Sequence, residues 1–342
     1  MQFNVITYEQ KSQHNPDRPE LPEFLTGEKF ADKKVANEKL ATAYLYLAKV
    51  KQPGLADLWR KKYEQVIGCS TWLCFHESSS GRRLKSMNSC RNRLCPICTW
   101  RRSLKTYHNM RQITDYIATS PDIPSYKYVF VTLTVKNCKA DQLGDLITEL
   151  YKGQKRLREL KAFKAMCKGY FCALEVTHNK LQDTYHPHFH LVIAVLPSYF
   201  SSRYYIAQSK LREMWRESMR LDYDPKVWIK KVGDIGGAAA EVAKYPVKDS
   251  ELIDVDEWDL TAEAVAAVDQ ALKGRRLIGF GGIFRELHKR LNLEDEENGD
   301  LVNTDGEADA APTPDDWESM YFWHSGFRQY IKIEKRREVI DV

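Results

Sequence analysis

Between residues 126 and 232 the hydrophobic period switches repeatedly between two and 3.6, and the order of those switches restricts the fold more than any bulk property does. Residues 126–135 alternate and are rich in β-formers. Residues 141–166 carry Leu143, Leu146, Ile147, Leu150 and Tyr151 at helical spacing. Residues 170–177 and 188–195 read as strands with a polar turn between them. Residues 201–221 put Tyr204, Leu211, Met214, Trp215 and Met219 along one side of a helix, and 227–232 is a short strand. The order β-α-β-β-α-β predicts an α+β, ferredoxin-like fold: a mostly antiparallel sheet with helices on one face and the other face open for a site. An Ala-rich helix over 237–244, bounded by Gly236-Gly237 and Pro246, and a helical region over about 256–292 follow it.

The flanking sequence divides into appendages. Residues 1–66 form an N-terminal helical region, with Leu40, Tyr44, Leu47 and Ala48 before a break at Gln52-Pro53-Gly54, and Leu55, Leu58, Trp59 and Val66 after it. Residues 67–118 form a basic, cysteine-rich module ending in an amphipathic helix over 99–118. The main domain covers 125–292. Residues 293–316 are acidic and poor in apolar residues, which predicts a disordered linker, and 317–342 is an aromatic, basic tail. The formal charge of +5 hides this division. Eleven acids and no Lys or Arg lie between 294 and 318, leaving +16 on the rest, and twelve Lys/Arg face two Glu between 59 and 111. A basic body of this kind suits a polyanionic partner. No stretch approaches the roughly 18 apolar residues of a membrane span, and residues 1–16 are polar. The expectation is a soluble, cytoplasmic protein.

Three constellations carry chemistry. In His186-Pro187-His188-Phe189-His190, two histidines one residue apart on a strand share a face and can share a metal. A hairpin centred near Gln182-Asp183 would set Glu175 opposite His190 as a third ligand. Two imidazoles and a carboxylate suit Mg²⁺ or Mn²⁺ as the catalytic ion. Second, Tyr245 follows Glu241 by one helical turn, flanked by Lys244 and Lys248, which predicts a nucleophile with a carboxylate and phosphate-holding lysines beside it. Third, five of the eight cysteines fall within thirty residues. Cys95-Pro-Ile-Cys98 has zinc-knuckle spacing, and Cys90 and Cys69 complete a structural Zn²⁺ site, with Cys74 and His76 as competing ligands. Arg91, Arg93, Arg101, Arg102 and Lys105 around it are expected to contact a DNA backbone. Cys138, Cys167 and Cys172 read as core residues.

Four stretches, in order and at matching spacing, resemble the replication initiator (Rep) proteins of small rolling-circle plasmids, within the HUH endonuclease superfamily. They are Cys90-Arg-Asn-Arg-Leu-Cys-Pro-Ile-Cys-Thr-Trp-Arg-Arg-Ser103, Phe130-Val-Thr-Leu-Thr-Val-Lys-Asn137, His186-Pro-His-Phe-His-Leu191 and Glu241-Val-Ala-Lys-Tyr-Pro-Val-Lys-Asp249. Gly274-Arg-Arg-Leu-Ile-Gly-Phe-Gly-Gly282 is similar to the family's downstream region. The resemblance covers about 69–291. It implies that Tyr245 nicks DNA, that His188 and His190 bind the divalent metal, that Glu241 helps end the reaction, and that Cys69 belongs to the cysteine pattern. The implied protein binds a double-strand plasmid origin and nicks a single-stranded, hairpin-like site. It leaves a 5′-phosphotyrosyl adduct and a 3′-OH that primes host polymerase, with a host helicase as partner and a homodimer as a compatible state. The rivals are a mobilisation relaxase or transposase of the same superfamily, and a non-catalytic zinc-containing DNA-binding regulator. A covalent DNA adduct separates the last from the others.

Overall fold

The computed structural model describes residue 25 and residues 29–79, 81–243, 249–304 and 316–337. Helix α1 (Phe30–Tyr46) buries Phe30, Leu40, Ala41 and Tyr44. A turn of π-helix and then Pro53 stop it before α2 (Ala56–Ile67), as the Gln52-Pro53-Gly54 break predicts. The cysteine-rich stretch contains a hairpin the periodicity did not disclose, β1 (Trp72–Ser78) and β2 (Gly81–Met87). Pro96 at the first helical position then opens α3 (Pro96–Thr119), a longer helix than expected.

The main sheet is built as its alternation predicts, with shifted helix ends. After β3 (Lys127–Thr134), the helical stretch is two helices, α4 (Ala140–Glu159) and α5 (Lys161–Met166), separated where Leu160 turns extended. Strands β4 (Gly169–Asn179) and β5 (Thr184–Val195) form the long hairpin. Helix α6 (Gln208–Met219) begins later than expected, after a 3-10 turn at Pro197–Ser201, and β6 (Val227–Lys231) follows. Next come α7 (Ile235–Val242), the single turn α8 (Asp249–Leu252) and α9 (Trp258–Leu272). The stretch predicted as helical to 292 is then interrupted by a strand, β7 (Ile278–Gly282), before α10 (Ile283–Arg290). Gly279, Gly281 and Gly282 hide that strand from propensity. Gly282 itself has φ +55, and a Cβ there would lie 2.3 Å from the Lys168 carbonyl oxygen.

The five strands lie in the order β6-β3-β5-β4-β7, all neighbours antiparallel. One face carries Val129, Val131, Leu133, Leu174, Phe189, Leu191 and Ile193, packed under α4, α6 and α9. Each such side chain, fully buried, contributes about 1.5–3 kcal/mol. The second face was expected to be open, and it is not. Phe130, Phe171, Ala173, Val192 and Ala194 are buried there beneath Met110 and Ile113 of α3, Ala239 and Val242 of α7, and Phe284 and Leu287 of α10. These helices, too, have apolar stripes that must be covered.

The C-terminal stretch is not a separate tail. Strands β8 (Trp317–His324) and β9 (Gln329–Arg337) pair with each other, and β8 pairs with β1, giving a second antiparallel sheet of order β2-β1-β8-β9. Nor does the whole acidic stretch behave as a disordered linker. Residues 293–304 lie against α3: Glu296 is fully buried, accepting from Asn109 Nδ2 at 2.7 Å and lying 2.9 Å from His288 Nε2. The remainder, 305–315, lies outside the described residues. Among the described residues no helix is long and apolar enough to cross a membrane.

Candidate metal centres and the basic helix

His188 and His190 sit on β5 and Glu175 on β4, all on the face shared with Phe130 and Val192. The register pairs Glu175 with His188, not with His190 as expected. The cause is Asn179, whose side-chain oxygen accepts from Leu181 N at 3.1 Å and Gln182 N at 3.2 Å and starts the turn early. Glu175 thereby moves two residues relative to its partner strand, and a shift of two preserves its face. Glu175 Oε2 lies 2.9 Å from His190 Nε2 and 3.5 Å from His188 Nε2, and the two Nε2 atoms are 3.1 Å apart. His188 Nδ1 donates to the His186 carbonyl at 3.0 Å, and His190 Nδ1 lies 3.2 Å from Thr132 Oγ1. Such bonds at Nδ1 aim Nε2 at a shared point and are the usual outer support of a metal ligand. Burial would raise the Glu175 carboxyl, but hydrogen bonds and charge from His188 and His190 outweigh it and hold it well below the usual carboxylate range. Three convergent donors with hard and borderline character fit a divalent cation with further positions left for substrate oxygens. His186 stacks on His188 with ring centroids 5.0 Å apart, and contributes its carbonyl.

Of the competing ligands it is Cys69 that joins the cluster. Cys69, Cys90, Cys95 and Cys98 converge, with Sγ···Sγ distances of 3.6 Å for Cys69–Cys98 and 3.7 Å for both Cys90–Cys98 and Cys69–Cys95. Four sulfurs about 2.3 Å from a tetrahedral Zn²⁺ would lie about 3.8 Å apart, whereas a disulfide needs about 2.05 Å. Cys74 points to Glu318 at 3.8 Å and His76 to Asp316 at 3.4 Å, away from the cluster. Ser70 and Arg91, each just after a cysteine, take φ of +49 and +56, folding the chain back around the thiols. Burial would raise the Cys95 thiol, but hydrogen bonds from Cys69, Cys90 and Cys98 hold it well below the usual value.

Two residues that the sequence reading did not single out support the cluster. Lys34 of α1 is 1% exposed and donates to the carbonyls of Cys69 at 2.6 Å and Ile67 at 2.7 Å, and to Asn37 Oδ1 at 3.1 Å. Asn37 Nδ2 in turn lies 3.3 Å from Cys95 Sγ. The signal available was slight: a Lys and an Asn three apart, one helical turn before the apolar residues Leu40, Ala41 and Tyr44 with which they are buried. Tyr330 of β9 closes the other side, its Oη donating to the Ser70 carbonyl at 2.6 Å.

The basic residues of α3 are less available than expected. Arg101 and Lys105 are buried. Arg101 Nε donates to the Leu301 carbonyl at 2.8 Å, while Lys105 pairs with Glu294 and donates to the Asp300 carbonyl at 2.8 Å. These two tie down the acidic segment rather than facing a partner. Arg91, Arg93 and Arg102 also contact that segment, and they line a pocket with Thr99, Ser103 and Thr106. Its floor is Ala173, Leu174, Leu277 and Ile278.

Glu241 is on α7, capped by Asp234, which accepts from Gly236 N and Gly237 N at 2.9 Å each. The helix packs on β4 and β5. It ends at Val242, earlier than expected. Tyr245, Lys244 and Lys248 lie outside the described residues.

The family model that matches this chain is described as a replication protein, over residues 81–331. A curated "Protein rep" of Bacillus amyloliquefaciens is 38% identical over 81% of this chain and 86% of its own length. A "Protein rep" of Streptococcus pneumoniae serotype 2 is 38% identical over 75% and 82%. A third, from Lactiplantibacillus plantarum, is 33% identical over 74% and 82%. No solved structure matches.

Proposed function

The chain belongs to this family of replication proteins, and from that premise we propose that it initiates rolling-circle replication of a plasmid by nicking one strand of the origin. The observation that carries the proposal is the convergence of Glu175, His188 and His190 on one point of a sheet face. The chain order β-α-β-β-α-β with sheet order β6-β3-β5-β4 supports a ferredoxin-like HUH nuclease core. A DNA-binding regulator without catalysis has no use for the triad.

A bound Mg²⁺ or Mn²⁺ would draw charge from a non-bridging oxygen of the scissile phosphate. His188, His190 and Glu175 would hold it, with the His186 carbonyl and Thr132 orienting the imidazoles. The Tyr245 oxygen attacks phosphorus in line: its bond to phosphorus forms, the bond to the 3′ oxygen breaks, the phenol proton is given up and the leaving oxygen gains one. The products are a 5′-phosphotyrosyl protein and a 3′-OH that host polymerase extends behind a host helicase. Glu241 serves the closing step, accepting a proton from the water that ends the cycle. Cys69, Cys90, Cys95 and Cys98 would hold a structural Zn²⁺ that fixes the start of α3, and Lys244 and Lys248 would hold phosphate near the nucleophile.

The test is incubation of the protein with an end-labelled hairpin oligonucleotide spanning the plasmid origin and Mn²⁺. A covalent adduct on a denaturing gel is expected for wild type and absent for Tyr245→Phe. An adduct with the Phe variant, or one indifferent to EDTA, would refute the assignment of the nucleophile or of the metal.

A further inference from the structure

The register across the sheet places an exposed aromatic beside the triad. Thr132, which holds His190, pairs with His190 on one side and with Trp228 of β6 on the other. Directly opposite residues in antiparallel strands share a face, and the neighbouring Val227 is buried in the core of the other face. Trp228 therefore stands on the face of the histidines, two strand spacings from His190, about 10 Å. It is 49% exposed. Packing does not call for a tryptophan here, since it leaves a large apolar surface in water.

The chemistry next to it is basic. Lys230 shares the face, with Nζ 5.6 Å from the Phe130 ring centroid, and Lys231 follows on the same edge strand. On the far side of His190, the same row of the sheet continues to Ala173, which pairs with His190 across β4 and β5. Ala173 is part of the floor of the pocket lined by Arg91, Arg93 and Arg102. Thr106 in that pocket is fully buried, and its hydroxyl has no hydrogen-bond partner among the described residues. One row thus reads Trp228, Thr132, His190, Ala173: an aromatic plate, the metal triad, then a pocket with an apolar floor, walls of three guanidinium groups held by Glu297 and Asn298, and a hydroxyl with no hydrogen-bond partner among the described residues.

We infer that this row is the track of a single DNA strand, with one base stacked on Trp228 and another, on the other side of the reacting phosphate, seated in the pocket against Thr106. The inference rests on the nicking reading and adds to it the elements that hold the strand. Only a chain with repeated phosphates and flat apolar rings matches all three features at once. A base still stacked in a duplex cannot lie flat on Trp228 or enter the pocket, so the track selects unpaired DNA. Aromatic stacking tolerates any base, whereas the Thr106 hydroxyl can discriminate.

The test uses the full chain in EDTA, so that nothing is cut, and a fluorescein-labelled single-stranded oligothymidylate read by anisotropy. Trp228→Ala should weaken binding by about 5- to 150-fold, the range of one aromatic–base stack, while Trp228→Phe retains most of it. Binding of a labelled duplex of equal length should be unchanged. Thr106→Val should weaken binding of oligonucleotides by about 2- to 10-fold, the worth of one hydrogen bond, for at least one of four homopolymers. It should not lower thermal stability, because the lost hydroxyl has no protein partner. Wild-type affinity in Trp228→Ala overturns the platform, and wild-type affinity in Thr106→Val for all four homopolymers overturns the pocket. Failure of wild type to bind any single strand overturns the nicking reading together with the track.

Discussion

Replacing Lys34 by Met tests whether the N-terminal helix is part of the cysteine site or merely lies next to it. Met keeps the length and most of the volume of the lysine stem but removes the ammonium. Lys34 is 1% exposed, and burial lowers its pKa, while the neighbouring thiols of Cys69, Cys95 and Cys90 and the carboxylate of Glu38 act to raise it. Its three acceptors are the carbonyls of Cys69 and Ile67 and the side-chain oxygen of Asn37. Each bond from a charged donor is worth about 1.5–3 kcal/mol, so the gross loss is about 5–9 kcal/mol. Against it stands relief from burying an ammonium, several kcal/mol. The difference is a net destabilisation of about 2–4 kcal/mol. With a urea m-value of about 2 kcal/mol/M, the unfolding midpoint should fall by roughly 1–2 M, followed by tryptophan fluorescence. Lys34→Arg cannot place its fork on the same three acceptors and should fall between. A Met variant with an unchanged or raised midpoint would mean that desolvation wins and that Lys34 does not hold the cluster.

Cys95→Ser should release zinc from the purified protein and expose the start of α3 to protease, read by elemental analysis and mass spectrometry; full zinc content in the variant would exclude Cys95 as a ligand. Mn²⁺ at about 100 times its dissociation constant should stabilise the native state by about 2.7 kcal/mol, a thermal shift that Glu175→Ala and His190→Ala should both abolish. Acid should release the segment 294–303 from α3. Lys105 beside Glu294 holds that carboxyl below its usual range, and in Asp300 the amides of Asn303 and Val302 outweigh the opposing effect of burial. Depressed carboxyls stabilise the docked state above their unfolded pKa values, near 4, and that contribution is lost as pH falls through the lower folded values. The amide resonance of Gly299, bonded to the Asp295 carbonyl at 2.8 Å, should therefore move only below about pH 4.

How much of this was legible before the structure differs from element to element. Strands β3, β4, β5 and β6 and the faces of His188, His190 and Glu175 followed from period-two alternation, because a strand fixes the side of each residue locally. That is why Glu175 was found even though its partner was misassigned by two residues: parity survives such a slip. The metal-type clusters were legible because cysteine and histidine are rare and their spacing carries the chemistry. Strand β7 was not, since its glycines suppress the local signal and only the edge of β4 makes it a strand. Nor was the choice of Cys69 over Cys74 and His76, which depends on the direction in which β1 leaves the knuckle. The fate of the charges was the least local matter of all. By composition the acidic segment belonged in water and the arginines of α3 on a nucleic acid, yet Glu296 is buried between Asn109 and His288, and Lys105 and Arg101 are tied to residues 294–302. Whether a charge faces solvent or another charge depends on what lies about 3 Å away in space, and residues some two hundred positions apart in the chain settle that only when the fold brings them together.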